Sequence, residues 1–252
     1  MNYDKLLLLG IELGSTLMSS GAEIYRVEES ISRLITAYGQ EPQTFVLPSC
    51  IFLSITTPDG PPMSQMRRIP AHGTDIELLE QCNDLCRHLC AQVPDVEEAL
   101  ECVRGLTTTR KVHPSWFTVL AHVVSGGFFC LFFGGAFRDF LCAALCGLAV
   151  GLLSLYSLPL IDDHVFLRTL VCSAAVSAIA IISVYLGLGL NVEKITIGAL
   201  MLLVPGMALT NAMREIMAGD IFSGVHRTAE VILVAAAIAL GSAVPLILMR
   251  GL

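Results

Sequence analysis

The sequence predicts a mainly α-helical fold, that of a polytopic α-helical membrane protein with five transmembrane helices and an N-terminal α+β soluble domain. Hydrophobic residues make up 54% of the 252 residues and charged residues only 15%, with a mean hydropathy of +0.72. Soluble domains are far less apolar. Of the 37 charged residues, 24 lie among the first 112. We therefore expect a head domain at residues 1–112 and a transmembrane domain at residues 113–252.

Five uncharged runs in the second part carry the prediction of five spans. Each is near or above the roughly 20 residues that an α-helix needs to cross about 30 Å of hydrocarbon. The runs are Pro114–Phe137, Phe140–Ile161, Thr169–Val192, Ile195–Met213 and Val231–Met249. An odd number of spans puts the two termini on opposite sides of the membrane. Six basic residues flank the spans on the side of the head and three flank them on the other side, and this excess favours a cytoplasmic N-terminus.

The head shows alternating signals for helices and strands. Leucines at helical spacing from Leu6 to Leu17 predict a first helix, and Ser20 with Glu23 suggests a capping box that begins a second. β-Branched and aromatic residues on both sides of a Pro-Asp-Gly turn in residues 44–69 predict a hairpin or small sheet. Two further helices are expected at Thr74–Ala91 and Pro94–Cys102. The head is acidic and has no basic patch, which argues against nucleic acid as a partner.

Familiar catalytic and cofactor patterns are absent from the sequence. It contains no G-x-S-x-G, H-E-x-x-H, P-loop or dinucleotide fingerprint, so we expect neither an enzyme nor a bound cofactor. An ionisable cluster in the head is compatible with acid–base work but, on spacing alone, more typical of a solvated helix face; it consists of Glu12, Glu23, Arg26, Glu28 and Glu29. Cysteines at every fourth position, Cys82, Cys86 and Cys90, favour core packing over a metal site.

The fourth apolar run is interrupted by Pro205 and Gly206. Backbone groups freed by a break in the bilayer are tolerated only against protein or a wet cavity, so one interpretation is a broken helix whose restarted amides face an anion. The other is a proline kink followed by charges that set topology. Spacing alone leaves both open. Polar candidates follow the break at Asn211, Arg214, Glu215 and Asp220.

One ionisable side chain, His122, lies within the first predicted span. A structural histidine that is hydrogen-bonded inside the helix bundle is the more common situation. Its position also makes it a candidate for a proton relay.

Two stretches of the chain resemble the threonine/serine exporter family of bacterial inner-membrane transporters. They are "SGAEIYRVEESI" at residues 20–31 and "LVPGMALTNAMREIMAGDIFSGVHRTAE" at residues 203–230, and the likeness spans nearly the whole chain. The residues that match the family's pattern are Gly21, Glu23, Arg26 and Glu28 in the head, and Pro205, Gly206, Asn211, Arg214, Asp220, Gly224, Arg227 and Glu230 in the body. Glu215 stands where the family usually has an aspartate.

The resemblance implies export of a small amino acid, threonine or serine, or of a small organic acid, driven by a proton gradient. It favours a substrate-binding set formed by Pro205, Gly206, Asn211, Arg214, Glu215 and Asp220. A second candidate cluster comprises Glu23, Arg26, Glu28, Arg227, Glu230 and His122. No metal site is expected.

The resemblance also bears on partners and location. The chain is similar to a short form of the family whose second half is a separate small membrane protein, so we expect a second subunit, a homo-oligomer or both in the bacterial inner membrane. Some short-form pairs are associated with succinate export, which leaves the substrate open. A competing hypothesis is a membrane-anchored sensor or hydrolase whose head carries the activity.

Overall fold

The computed structural model describes residues 2–57, 60–69, 73–108, 114–156 and 164–250. Within these ranges the chain forms ten α-helices and one three-stranded sheet. It divides into two compact units, and the first combines residues 1–111 with residues 210–227. The second combines residues 112–209 with residues 228–252. The end of the predicted fourth span and the segment after it thus belong to the same unit as the head.

The first unit contains the four helices and the sheet predicted for the head. Its N-terminal part consists of α1 (Tyr3–Ser20), α2 (Ile24–Ala37), β1 (Pro42–Leu47), β2 (Cys50–Ile55), β3 (Met63–Arg68), α3 (Ile76–Gln92) and α4 (Val96–Thr108). The strands are antiparallel in the order β1-β2-β3, and Leu47 pairs with Cys50 across a tight turn. The small sheet is therefore confirmed, while two residues of the predicted Pro-Asp-Gly turn lie outside the described residues.

Helix α1 forms the centre of this unit. Its four periodic leucines are at most 1% exposed, as their spacing predicted. Two glycines allow side chains of neighbouring elements to lie directly on the α1 backbone. A Cβ at Gly10 would come 2.7 Å from a methyl group of Leu53, and one at Gly14 would come 2.5 Å from a methyl group of Ile31. The sheet and α2 therefore pack onto α1 at distances that a larger residue would not permit.

The predicted capping box at Ser20 and Glu23 is wrong. Ser20 is the last residue of α1, and its hydroxyl donates to the carbonyl of Leu17. Gly21 follows in the left-handed conformation with φ +98° and ends the helix. This turn orients Ser20 toward α1 rather than α2. Glu23 precedes α2 but makes no capping hydrogen bond with its side chain.

The cysteines of α3 behave as core residues. Cys82 and Cys86 are buried, and burial raises the pKa of each thiol to about 12. Packing is confirmed for these two, and Cys90 is half-buried. No cluster of metal-binding side chains is found among the described residues.

In the second unit, four helices are long and apolar enough to cross a membrane among the residues that the structure describes: Ser115–Phe132, Phe137–Tyr156, Val165–Tyr185 and Ile221–Leu248. They correspond to α5 (Ser115–Phe132), α6 (Phe137–Tyr156), α7 (Val165–Tyr185) and α10 (Ile221–Arg250). The first residues of α10 belong to the first unit.

The fourth predicted span is not one continuous helix. It consists of α8 (Val192–Leu200), with 9 residues, and α9 (Gly206–Met217), with 12. Two hydrogen bonds that reach back only three residues tighten the end of α8, from Leu202 to Ala199 and from Leu203 to Leu200. Pro205 then supplies no N–H to continue the ladder. The predicted interruption is confirmed, and the number of five spans stays a prediction.

Small residues set the helix contacts of the second unit. A Cβ at Gly147 in α6 would overlap the backbone carbonyl of His122 in α5, and one at Gly241 in α10 would overlap the carbonyl of Leu170 in α7. A Cβ at Gly198 in α8 would lie 2.6 Å from backbone atoms of α5. These approaches bring backbones together, which is the packing mode expected in a bilayer.

Asp139 is a buried acid that fixes a loop of the second unit. Its carboxylate accepts hydrogen bonds from the backbone N–H groups of Ala136, Leu190 and Asn191 at 3.0, 2.7 and 3.0 Å. The loop that follows α7 is thereby held at the start of α6. Three donors of this kind compensate for the burial of the carboxylate.

The ion pair between Glu12 of α1 and Arg67 of β3 generates the first prediction. Two parallel hydrogen bonds of 2.6 and 2.9 Å join the groups, and this bonding holds the pKa of Glu12 below its ordinary value of 4.5. A lowered pKa adds stability above the ordinary value, and that stability is lost as the pH falls through the lowered pKa. Glu12→Gln should therefore lower the free energy of unfolding by about 1–2 kcal/mol at neutral pH and by less at pH 3.

This free energy can be measured in detergent by urea-dependent alkylation of the buried Cys82, quantified by mass spectrometry. The matched control is Glu97→Gln, which removes the exposed pair between Lys5 and Glu97. Equal destabilisation by the two variants would contradict the prediction.

Helix packing at Gly147 generates the second prediction. Gly147→Ala should destabilise the second unit by about 1–3 kcal/mol because the added methyl forces α5 and α6 apart. Gly206→Ala is the control, since a Cβ there meets nothing within 4 Å. Thermal unfolding in detergent measures both, and an unchanged melting temperature for Gly147→Ala would refute the packing account.

Candidate functional site

The candidate site is built around the corner between α1 and α2 in the first unit. Gly21 ends α1, and its N–H bonds back to the carbonyls of Leu17 and Met18. The carbonyls of Gly21 and Ala22 lie beyond the helical ladder, and Ile24 provides one of the first N–H groups of α2. Such groups at a helix end need partners from elsewhere.

Three side chains from residues 210–227 supply these partners. The amide of Asn211 donates to the Gly21 carbonyl at 3.3 Å, and Arg227 donates to the Ala22 carbonyl at 3.0 Å. The carboxylate of Glu215 accepts the Ile24 N–H at 3.3 Å. Glu215 thus performs for α2 the capping role that the sequence assigned to Ser20.

Ion pairs also connect the corner between α1 and α2 with residues 210–227. Glu23 is paired with Arg214 at 2.9 Å and, through its other oxygen, with Arg26 at 3.5 Å. Glu215 is paired with Arg227 at 3.2 Å. We call these five residues the corner cluster. It holds three positive and two negative formal charges, and both carboxylates are buried, Glu23 at 5% and Glu215 at 0% exposure.

The burial of Glu215 is the least compensated feature of the corner cluster. Its Oε1 serves both Ile24 and Arg227, whereas its Oε2 has no hydrogen-bond partner among the described residues. The hydroxyl of Ser223, on the next helix, is also buried without such a partner there. Burial disfavours the charged form of a carboxylate, while Arg227 and the N-terminus of α2 favour it. Burial outweighs these two groups, and the pKa of Glu215 lies above its ordinary value.

Asp220 and Glu28 lie beside the corner cluster. Asp220 accepts the N–H of Ser223 at 3.5 Å at the start of α10, and Glu28 accepts the N–H of Val46 at 2.8 Å. Burial raises the pKa of Glu28, and the negative charge of Asp220 raises it further. Asp220 is thus close enough to Glu28 to disfavour its charged form.

The structure brings together only part of the predicted site. Asn211, Arg214 and Glu215, from the predicted substrate set, meet Glu23, Arg26 and Arg227, from the second candidate cluster. The remaining predicted residues Pro205, Gly206, Glu230 and His122 belong to the second unit. His122 places Nδ1 2.8 Å from the carbonyl of Thr118, one turn earlier in its own helix, which favours the structural interpretation of this histidine.

Sequence reasoning missed the backbone groups and the small residues of the site. The carbonyls of Gly21 and Ala22 carry no side-chain signal, and Ser223 was not selected. Gly224 was noted only through the resemblance, yet a Cβ there would overlap the side chain of Ile216. This glycine allows α9 and α10 to approach closely. The sequence did contain one signal for this close approach, a small residue one helical turn after Asp220.

Chemically, the corner cluster offers positive groups for a carboxylate and a buried acid for a proton. Arg214 remains 56% exposed in its side chain although it is paired with Glu23. A solute carboxylate can therefore reach the guanidinium. The cluster contains no activated nucleophile, and its character is that of a binding or proton-transfer site.

Comparison with curated proteins gives two relatives. One is a protein of Mycobacterium tuberculosis named "Probable threonine/serine exporter", 24% identical over 246 residues, which cover 94% of this chain and 45% of the relative. The other is an uncharacterized protein of Schizosaccharomyces pombe, 23% identical over 230 residues, which cover 88% of this chain and 28% of that protein. The chain thus spans less than half the length of either relative. No solved structure matches the chain.

The model of one protein family, ThrE, described as "Putative threonine/serine exporter", matches residues 9–249. This match includes both stretches that carry the resemblance and all residues of the corner cluster. Together with the four long apolar helices, it identifies the chain as a multi-pass membrane protein that belongs to the threonine/serine exporter family.

Proposed function

We propose that this protein is a subunit of a secondary transporter that exports a small amino acid, such as threonine or serine, or a small organic acid, in exchange for protons. The observation that carries the proposal is the corner cluster, in which an accessible arginine and a buried acid lie on the same short helix, α9. Coupled export needs a group that binds the solute and a group that binds the proton, and these must influence each other. Arg214 and Glu215 are adjacent in the chain.

Arg214 is the proposed contact for the solute carboxylate. A guanidinium binds a carboxylate through two parallel hydrogen bonds, and Arg214 now makes one such bond to Glu23. A solute carboxylate would compete with Glu23 for this arginine. Asn211 on the same helix and Asp220, the residue before α10, would contact the rest of the solute, including an ammonium group.

Glu215 is the proposed proton carrier. Protonation would remove the negative charge that faces Arg227 and weaken the acceptor for the Ile24 N–H. One of the three links between α9 and the corner of α1 and α2 would thereby weaken. Proton binding would in this way change the position of the neighbouring Arg214 and its affinity for the solute.

The interruption before α9 contributes the third element of the proposal. The backbone N–H groups of Met207 and Ala208 belong to the first turn of α9 and lie at the positive end of its helix dipole. A Cβ at Gly206 meets nothing within 4 Å, so a carboxylate could approach the backbone there. We propose this end of α9 as a second point of contact for anionic solutes.

The proposal includes a location and a partner. Basic residues on the flanks of the apolar runs support a cytoplasmic head in a bacterial inner membrane. From the resemblance to the short form of the family, we propose that a second membrane subunit, or a second copy of this chain, completes the transport path.

Flux measurements test the solute contacts. Vesicles that contain the full chain and its partner subunit, with a pH gradient, should accumulate labelled threonine, serine or succinate. Arg214→Gln and Asp220→Asn should reduce the rate at least about tenfold, because each change removes a charge-assisted hydrogen bond to the solute. Arg68→Gln, a change at an exposed arginine of β3, should leave flux unchanged. Normal flux in both site variants, at equal amounts of protein in the membrane, would refute the assignment.

A separate experiment tests proton coupling. Glu215→Gln keeps the size of the side chain and its acceptor oxygen but removes the charge that protons titrate. Solute flux should persist in exchange mode and lose its dependence on the pH gradient, whereas the exposed control Glu97→Gln should retain it. If Glu215→Gln transports with the full dependence on the pH gradient, Glu215 is not the proton carrier.

A further inference from the structure

A polar cavity lies in the first unit, between α2 and α3. Its volume is about 590 Å³, which is within the range of small-molecule sites. Three arginines line it, Arg26 and Arg33 from α2 and Arg87 from α3. The hydroxyl of Ser30 and the amide of Asn83 add two neutral polar groups, and Glu29 adds one carboxylate.

Helical spacing places these donors in two facing rows. Arg26, Ser30 and Arg33 are four and three residues apart, and so lie on one face of α2. Asn83 and Arg87 are four residues apart on α3, and Cys90 follows three residues later. Residues at such spacing share a helix face. A molecule in the cavity would meet cationic groups from both helices.

Each of the three arginines is held by one carboxylate of its own helix. Arg26 pairs with Glu23 at 3.5 Å, Arg33 with Glu29 at 2.6 Å and Arg87 with Asp84. The arginine side chains are 53%, 69% and 71% exposed. Exposed pairs of this kind are weak, and a guanidinium has five donors. An anion that bridges two helices can therefore be bound at little cost to these pairs.

We propose that this cavity binds a small, doubly charged oxyanion, a dicarboxylate or a phosphate. Two negative groups would engage arginines from α2 and α3 at once, with Ser30 and Asn83 as neutral donors. A monovalent anion would balance the charge of only one of the facing arginines. A cation would compete poorly for this cavity, because each of the three carboxylates is already paired with an arginine.

Arg26 connects the cavity to the corner cluster. It lines the cavity and also pairs with Glu23, whose other oxygen binds Arg214. An anion that engages Arg26 would leave Arg214 as the main partner of the buried Glu23. Occupancy would thus strengthen the pair between Glu23 and Arg214 and slow export. This consequence rests on the proposed function, whereas the binding itself does not.

A native thiol reports on the cavity directly. Cys90 lines it and is half-buried, while Cys102 on α4 is exposed and does not line it. The full chain in nanodiscs of neutral lipid is alkylated with and without inorganic phosphate or succinate, at an ionic strength matched with sodium chloride because salt screens such sites. Either anion should slow alkylation of Cys90 and leave Cys102 unchanged.

Variants at the two rows test the assignment. Arg33→Gln and Arg87→Gln should each raise the half-protecting concentration of phosphate about tenfold, the loss expected for one charge-assisted contact, and Arg68→Gln should not. Cys82, which is 0% exposed, should stay unmodified in every variant and so verifies the fold. Nanodiscs with anionic lipid distinguish the sources: protection without added anion would identify a lipid phosphate as the ligand.

Two results would overturn the proposal. One is the absence of protection at Cys90 in all three arms, with phosphate, with succinate and with anionic lipid. The other is protection that weakens equally in Arg68→Gln and Arg33→Gln, which would indicate general screening rather than a site. Neither result depends on flux, so the proposed export function can fail or hold independently.

Discussion

Glu215 joins two distant segments of the first unit. It accepts a hydrogen bond from the first turn of α2 and forms an ion pair with Arg227 of α10. The N-terminus of α2 has no capping side chain of its own, and a carboxylate from a residue 191 positions later takes that place. The same carboxylate is buried and needs Arg227 to compensate for its charge. Removing one partner of a buried ion pair costs about 3–5 kcal/mol. The α1–α2 corner and the α9–α10 hairpin therefore depend on each other.

The two stretches that resemble the exporter family are the two that meet in the corner cluster. Residues 20–31 provide the carbonyls, the N–H group and Glu23, while residues 203–230 provide Asn211, Arg214, Glu215 and Arg227. A role for the head follows from this pairing: it is the binding partner of the α9–α10 hairpin rather than a separate appendage. The arginines of the hairpin are thus held in place by protein groups of the same unit.

Local patterns in the sequence predicted much of the fold, whereas contacts between residues far apart in the chain could not be predicted from it. Leucine spacing gave α1, strand composition gave the sheet, and Pro205 gave the interruption before α9, because each depends on neighbouring residues. The pair between Glu23 and Arg214 could not be predicted, since nothing in either segment specifies the other. The capping prediction failed at Ser20 because the left-handed turn of Gly21 reorients that side chain. Asp139 was overlooked because its donors are backbone groups of a distant loop.

The capping of α2 by Glu215 has a consequence for biosynthesis. A ribosome adds about 5–20 residues per second, so roughly 10–40 seconds separate the emergence of Ile24 from that of Glu215. During this interval the nascent head holds an N-terminal helix end without its acceptor and a buried acid, Glu23, without Arg214. The head can complete its structure only after the intervening apolar helices have been delivered to the membrane. Maturation of the amino-terminal part thus waits for insertion of the rest of the chain.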